Sequence, residues 1–138
     1  MNLYHGSHSE ISSISADGVF GGLFATANAG SAQAHGGMIY EITSPNPLTD
    51  FDLNYALEGA WDAAIALCRG DESRAEAIMS PACESDSMDP EDGWALQRLR
   101  GVLARRLGYT SIEMLDEHGA TWLCLPGCTV AATDEGAL

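Results

Sequence analysis

The constraint that bears hardest on the fold is the order in which hydrophobic periodicity changes along the chain. Over residues 1–44, apolar, aromatic and β-branched residues come in short runs cut by glycine: Leu3-Tyr4-His5, Val19-Phe20, Leu23-Phe24-Ala25 and Met38-Ile39-Tyr40-Glu41-Ile42. These predict strands, with turns at Gly6, Gly18, Gly21-Gly22 and Gly36-Gly37. Between them Ser31 to His35 reads as a short helix, capped by Ser31 and closed by Gly36. Over residues 50–107 the period changes to that of helices. Leu57, Trp61, Ala64, Ile65 and Cys68 share one helical face that stops at Gly70. Asp71 caps a second helix striped by Ala75, Ile78, Met79 and Ala82. After an acidic, turn-rich stretch from Cys83 to Gly93, a third helix runs from Trp94 to Leu107 with Ala95, Leu99, Val102 and Leu103 inward. Strand alternation returns at Tyr109–Met114, then at Thr121–Leu125 and Thr129-Val130, around the turns Asp116-Glu117-His118-Gly119 and Pro126-Gly127. Strands, helices, strands is the order of an α+β domain whose sheet is completed by both ends of the chain.

At 138 residues the chain is expected to form one domain, 1–138, with the helical region at about 50–107 as an insertion and a frayed tail at 131–138. Twenty acidic side chains face six basic ones, all arginine, for a formal charge of −14. That balance argues against nucleic acid and anionic membrane as direct partners, since both are held by Lys and Arg. It points to a basic macromolecular surface, including one that ordinarily holds nucleic acid. Arg98, Arg100, Arg105 and Arg106 crowd the third helix and read as solvated edges pairing with nearby acids. No apolar run is long enough to span a bilayer, and the N-terminus lacks the pattern of an export signal. Cys68, Cys83, Cys124 and Cys128 show no CxxC spacing, so reduced thiols, no metal and a cytoplasmic setting are expected.

Three short motifs could carry chemistry. Tyr4-His5-Gly6-Ser7 ends the first strand, where glycine lets a ligand approach both an imidazole and bare backbone. Gly22-Leu23-Phe24-Ala25-Thr26 places an aromatic at another strand end, open to a reading as core or as a stacking surface. Asp116 follows the late strand; Asp at i with Gly119 at i+3 is also a type I turn signature, and Glu113 is the alternative carboxylate. No GxGxxG opens a helix, which excludes the common dinucleotide fingerprint.

In that order, and with Ser31-Ala32-Gln33-Ala34-His35-Gly36 between them, these motifs resemble the NAD-binding fold of ADP-ribosyltransferases that open on His-Gly-Thr/Ser. Over nearly its whole length the chain further resembles a phage anti-CRISPR family directed at the type I-F surveillance complex. The long matches include Leu53-Asn54-Tyr55, Ala75-Glu76-Ala77-Ile78-Met79, Leu96-Gln97-Arg98-Leu99-Arg100-Gly101 and Thr121-Trp122-Leu123-Cys124-Leu125-Pro126-Gly127-Cys128. The resemblance implies an NAD-dependent mono-ADP-ribosyltransferase acting in the bacterial host cytoplasm. It would modify the large subunit that reads the protospacer-adjacent motif and so block target DNA binding; the alternative is a non-catalytic acidic DNA mimic of the same complex. It implies that His5 binds a ribose hydroxyl of NAD, that Gly6 holds the nicotinamide carboxamide and that Ser7 buttresses the ribose. Phe24 would pack on the nicotinamide, and His35 stands where relatives have a stacking Tyr. The usual Glu would fall near Ala120 or Thr121, which are not acidic, so Asp116 takes the catalytic role with Glu113 in reserve.

Overall fold

A computed structural model describes residues 1–8, 10–28, 37–85, 87–116 and 119–133, the backbone alone at Asp116. Its strands are β1 (Asn2–Ser7), β2 (Leu23–Ala25), β3 (Met38–Thr43), β4 (Pro47–Leu48), β5 (Ser111–Asp116), β6 (Gly119–Cys124) and β7 (Thr129–Ala132). Between β4 and β5 come a π-helix, Asp52–Ala56, and three α-helices: α1 (Ala60–Leu67), α2 (Glu72–Met79) and α3 (Pro90–Arg106). The architecture is α+β with two sheets. One has the order β1-β3-β7 and is antiparallel; the other has the order β2-β6-β5-β4 and is antiparallel except where β4 joins β5.

Directly paired residues point to the same face of a sheet, and this sorts the core into two layers. Phe24, Leu123 and Ile112 lie in register across β2, β6 and β5 and face the helices, meeting Ala64, Ile78, Leu103 and Ala104. Ala25 and Trp122 face the other way and pack with Leu3 and Ile42 of the first sheet. The four-stranded sheet is thus covered on both faces, by helices and by the three-stranded sheet. Close approach is built in at Gly101, where a Cβ would stand 2.9 Å from a Leu123 methyl.

Several helix signals act as the sequence suggests. The Asp71 side chain accepts the Arg74 N–H and caps α2, and Asp89 caps α3 ahead of Pro90, so that helix starts four residues earlier than Trp94. Its inward face is also shifted. Leu96, Arg100, Gly101, Leu103 and Ala104 are buried, whereas Ala95 is exposed and Leu99 and Val102 are half-buried. The displacement follows from Arg100, whose guanidinium is fully buried rather than at a solvated edge. On α1, Ala60 and Ala64 take the buried positions and Trp61 is exposed. Val19-Phe20 is no strand: it lies in turns, with the Gly21 N–H on the Gly18 carbonyl at 3.1 Å. At the other end, β7 includes Ala131 and Ala132 and pairs along β3, so regular structure runs into what reads as a frayed tail. The expected helix at Ser31–His35 lies outside the described residues.

Candidate functional site

The two sheets meet at one isolated bridge, where Tyr4 and Thr26 exchange backbone hydrogen bonds of 2.7 and 2.9 Å. Past that pair, the His5 imidazole takes over. Alternation puts His5 on the same inward face of β1 as Leu3, and its Nδ1 lies 2.5 Å from the Phe24 carbonyl oxygen. A carbonyl only accepts, so Nδ1 carries the proton and, in the neutral ring, Nε2 is an acceptor. The side chain that joins the sheets therefore presents a fixed tautomer to anything bound beside it. Gly6 follows, buried and paired with Ile39, with no Cβ to cover its peptide. Ser7 is half-buried and closes β1 opposite Met38.

Phe24 stands on β2 with its ring on the helix side. Phe20 meets it edge-on at 4.9 Å between centroids, and Phe20 in turn meets Trp94 of α3 at 6.5 Å. The turn carrying Phe20 is tied to α3 by Arg98, which donates to the carbonyls of Gly18 and Ala16. Phe24 also walls a cavity of about 180 Å³ with Gln97, Met114, Leu115 and Thr121. That space suits a single aromatic heterocycle, far short of a whole dinucleotide. Thr121, opposite Met114, donates its hydroxyl to the Ala25 carbonyl at 3.0 Å, crosslinking β6 to β2. Gln97 and Thr121 went unmarked in the sequence as lining residues; only the fold brings α3 and β6 to Phe24.

Asp116 is the last residue of β5, paired with Gly119, one position beyond the cavity-lining Leu115. Its side chain, like all of His35, lies outside the described residues. Glu113 is placed elsewhere. Its carboxylate accepts the Asp50 N–H at 3.0 Å, and its carbonyl accepts from Arg100 Nε at 3.2 Å and Nη2 at 2.8 Å. Arg100 also donates to the Ile78 carbonyl at 2.9 Å and to Asp50 Oδ1 at 3.0 Å. Burial pulls its guanidinium below the usual range, and the bond to Asp50 opposes that pull.

The four cysteines are free thiols, and none lines the cavity. Burial pushes Cys83 up to about 12, which leaves it inert. Proximity to Cys128, together with burial, raises Cys124, and the same proximity lowers Cys128. Among the described residues no helix is long and apolar enough to cross a membrane.

Comparison with known proteins adds two findings. The sequence model of the family described as anti-CRISPR type I-F ADP-ribosyltransferase AcrIF11 matches residues 1–133. A solved chain described as the crystal structure of an anti-CRISPR protein superposes with a TM-score of 0.91 at 61% identity, covering 96% of this chain and 95% of that one. No curated protein gives a match.

Proposed function

The chain belongs to the anti-CRISPR type I-F ADP-ribosyltransferase family and is an NAD+–protein ADP-ribosyltransferase, and from that premise we propose how it acts and on what. The target is the large subunit of the type I-F surveillance complex that reads the protospacer-adjacent motif. Modification there keeps the complex from engaging DNA, inside the bacterial host cytoplasm. Residues 1–138 act as one domain on an ADP-ribosyltransferase-like NAD-binding plan, the helical segment of about 50–107 being an insertion.

The observation that carries the site is the His5–Phe24 contact. It leaves Nε2 of neutral His5 as an acceptor for a ribose hydroxyl, beside Gly6, which has no side chain to block approach. The cavity beside Phe24 is of a size for nicotinamide, with Phe24 in one wall and Gln97 as a polar lining residue. NAD supplies the ADP-ribose and a nicotinamide leaving group, whose departure puts positive charge on the ribose. This chain's part is to hold the ring still, through Gly6, Phe24 and His35, to fix the ribose through His5 and Ser7, and to place an anion beside the developing charge. Asp116 is that anion. Glu113 is less suited, because its carboxylate already serves Asp50.

Intact mass measurement of the purified surveillance complex, with and without NAD, tests this reading. A trace of enzyme should add ADP-ribose to many complexes, and their loss of DNA binding should persist after the enzyme is removed. Inhibition strictly one-to-one and indifferent to NAD would instead mean occupancy by an acidic mimic. Asp116→Asn should lower the transfer rate by about 10²–10³ without changing the melting temperature. Glu113→Gln, which keeps an acceptor for the Asp50 N–H, should transfer at close to the normal rate. The reverse pattern would move the catalytic role to Glu113.

A further inference from the structure

The π-helix Asp52–Ala56 carries a surface that neither the fold nor the NAD site uses. Phe51 and Tyr55 are 66% and 79% exposed, yet their rings lie 5.2 Å apart at 39°. Below them the backbone is clamped. Leu53 is buried, and the Asn54 amide donates to the Asp50 carbonyl at 3.1 Å, to Asp50 Oδ1 at 2.9 Å and to the Met79 carbonyl at 3.0 Å. The wide turn closes with the Leu57 N–H on the Asp52 carbonyl at 2.8 Å. π-turns cost helix regularity and are frequent at functional sites. Here the turn holds two aromatic rings side by side in solvent on a rigid base.

The chemistry around the rings indicates what they meet. From Pro45 to Cys68 there is no Lys or Arg, and Asp52, Glu58 and Asp62 are exposed. Among the described residues the one ion pair is Arg100–Asp50, so these three carboxylates have no counter-ion there. Exposed aromatic faces set among unpaired carboxylates suit arginine and lysine side chains, which stack on the rings and pair with the acids. Rigid aromatics also lose little conformational entropy on binding and dominate interface energetics. We infer that the Phe51–Tyr55 platform, with Asp52 and Glu58 beside it, docks an arginine- and lysine-rich surface of the protein that this enzyme modifies. The inference rests on the proposed protein target. Through Asp50 and Arg100 the platform is tied to the Glu113 carbonyl on β5, so the docked target and the end of that strand keep a fixed relation.

The experiment is binding of the purified type I-F surveillance complex, without NAD, to wild type, to Phe51→Ala/Tyr55→Ala and to Asp52→Lys/Glu58→Lys. The alanine pair should weaken affinity at least tenfold, mainly through faster dissociation. The charge pair should slow association severalfold. NAD affinity and melting temperature should be those of wild type in both. Affinities within twofold of wild type overturn the inference. Should the alanine pair lower the melting temperature, the charge pair decides by whether association slows. A wild-type chain that does not bind the complex overturns both this inference and the proposed target. One that binds without transferring ADP-ribose overturns the transfer reading alone, and the two variants still decide the docking surface. Sedimentation showing a wild-type dimer that the alanine pair dissociates would assign the platform to self-association and overturn the inference.

Discussion

A guanidinium without water must find every partner inside the protein, and Arg100 does so with two backbone carbonyls and one carboxylate. Removing one partner of a buried ion pair leaves an uncompensated charge, which typically costs about 3–5 kcal/mol. Asp50→Ala belongs at the low end, because the Asp50 side chain keeps some solvent contact; the expected loss is about 3 kcal/mol, read by urea unfolding. Asp50→Asn should cost less, since its amide oxygen still accepts from Arg100. Phe24 poses the opposite question, whether a ring serves packing or ligand. It is half-buried, and one edge is covered by Phe20. Phe24→Ala should therefore lose roughly half of the ~3–5 kcal/mol of a fully buried Phe→Ala change. Calorimetric titration should show NAD affinity down at least tenfold in a variant that still unfolds cooperatively. Unfolding of the domain, or unchanged NAD affinity, would make Phe24 a core residue and nothing more.

At the scale of elements, α3 crosses the sheet in close contact. A Cβ on Gly101 would meet Leu123 at 2.9 Å and Leu125 at 3.2 Å. Gly101→Val should then cost about 1–3 kcal/mol by overpacking, even though valine leaves the helix backbone intact. Gly93→Ala, on the same helix but with open space at its Cβ, should be neutral or slightly stabilising. A fall in melting temperature shared by both variants would place the effect in the helix rather than in its contact with β6. The same helix shows where sequence pattern stops informing. Caps are local chemistry, so Asp71 was legible; strand runs such as β1 and β3 were legible from alternation and glycine. The inward face of α3 was not, because periodicity counts arginine as polar and cannot see a carboxylate supplied by Asp50 from fifty residues away. Nor could it see the π-turn, since five residues show no helical period and the hydrogen bonds of Asn54 to Asp50 and Met79 exist only in the fold. The motif at His5-Gly6 was legible, but the bond that orients the imidazole depends on the Phe24 carbonyl, which only the meeting of two sheets provides.

At the scale of the whole molecule, the charge of −14 would act with opposite signs on the two substrates proposed above, a basic protein surface and NAD. A basic protein surface is drawn in by the summed field, so association is fastest at low salt and slows as the field is screened. The Debye length falls from about 10 Å at 0.1 M to about 3 Å at 1 M, enough to remove steering beyond direct contact. NAD carries net negative charge at neutral pH and is repelled by that same field, so screening should leave its binding unchanged or tighten it. Steady-state kinetics should therefore show kcat/KM for the surveillance complex falling about tenfold or more as salt rises from low to high ionic strength. Over the same range KM for NAD should stay level or fall. A parallel weakening of both substrates would mean that salt acts on the fold or on the NAD site itself. Level kcat/KM for the complex would mean that the acidic surface does not guide the encounter. Opposite signs for the two substrates would mean that charge recruits the target, while shape and hydrogen bonding at the proposed site of His5, Gly6 and Phe24 hold NAD against the field.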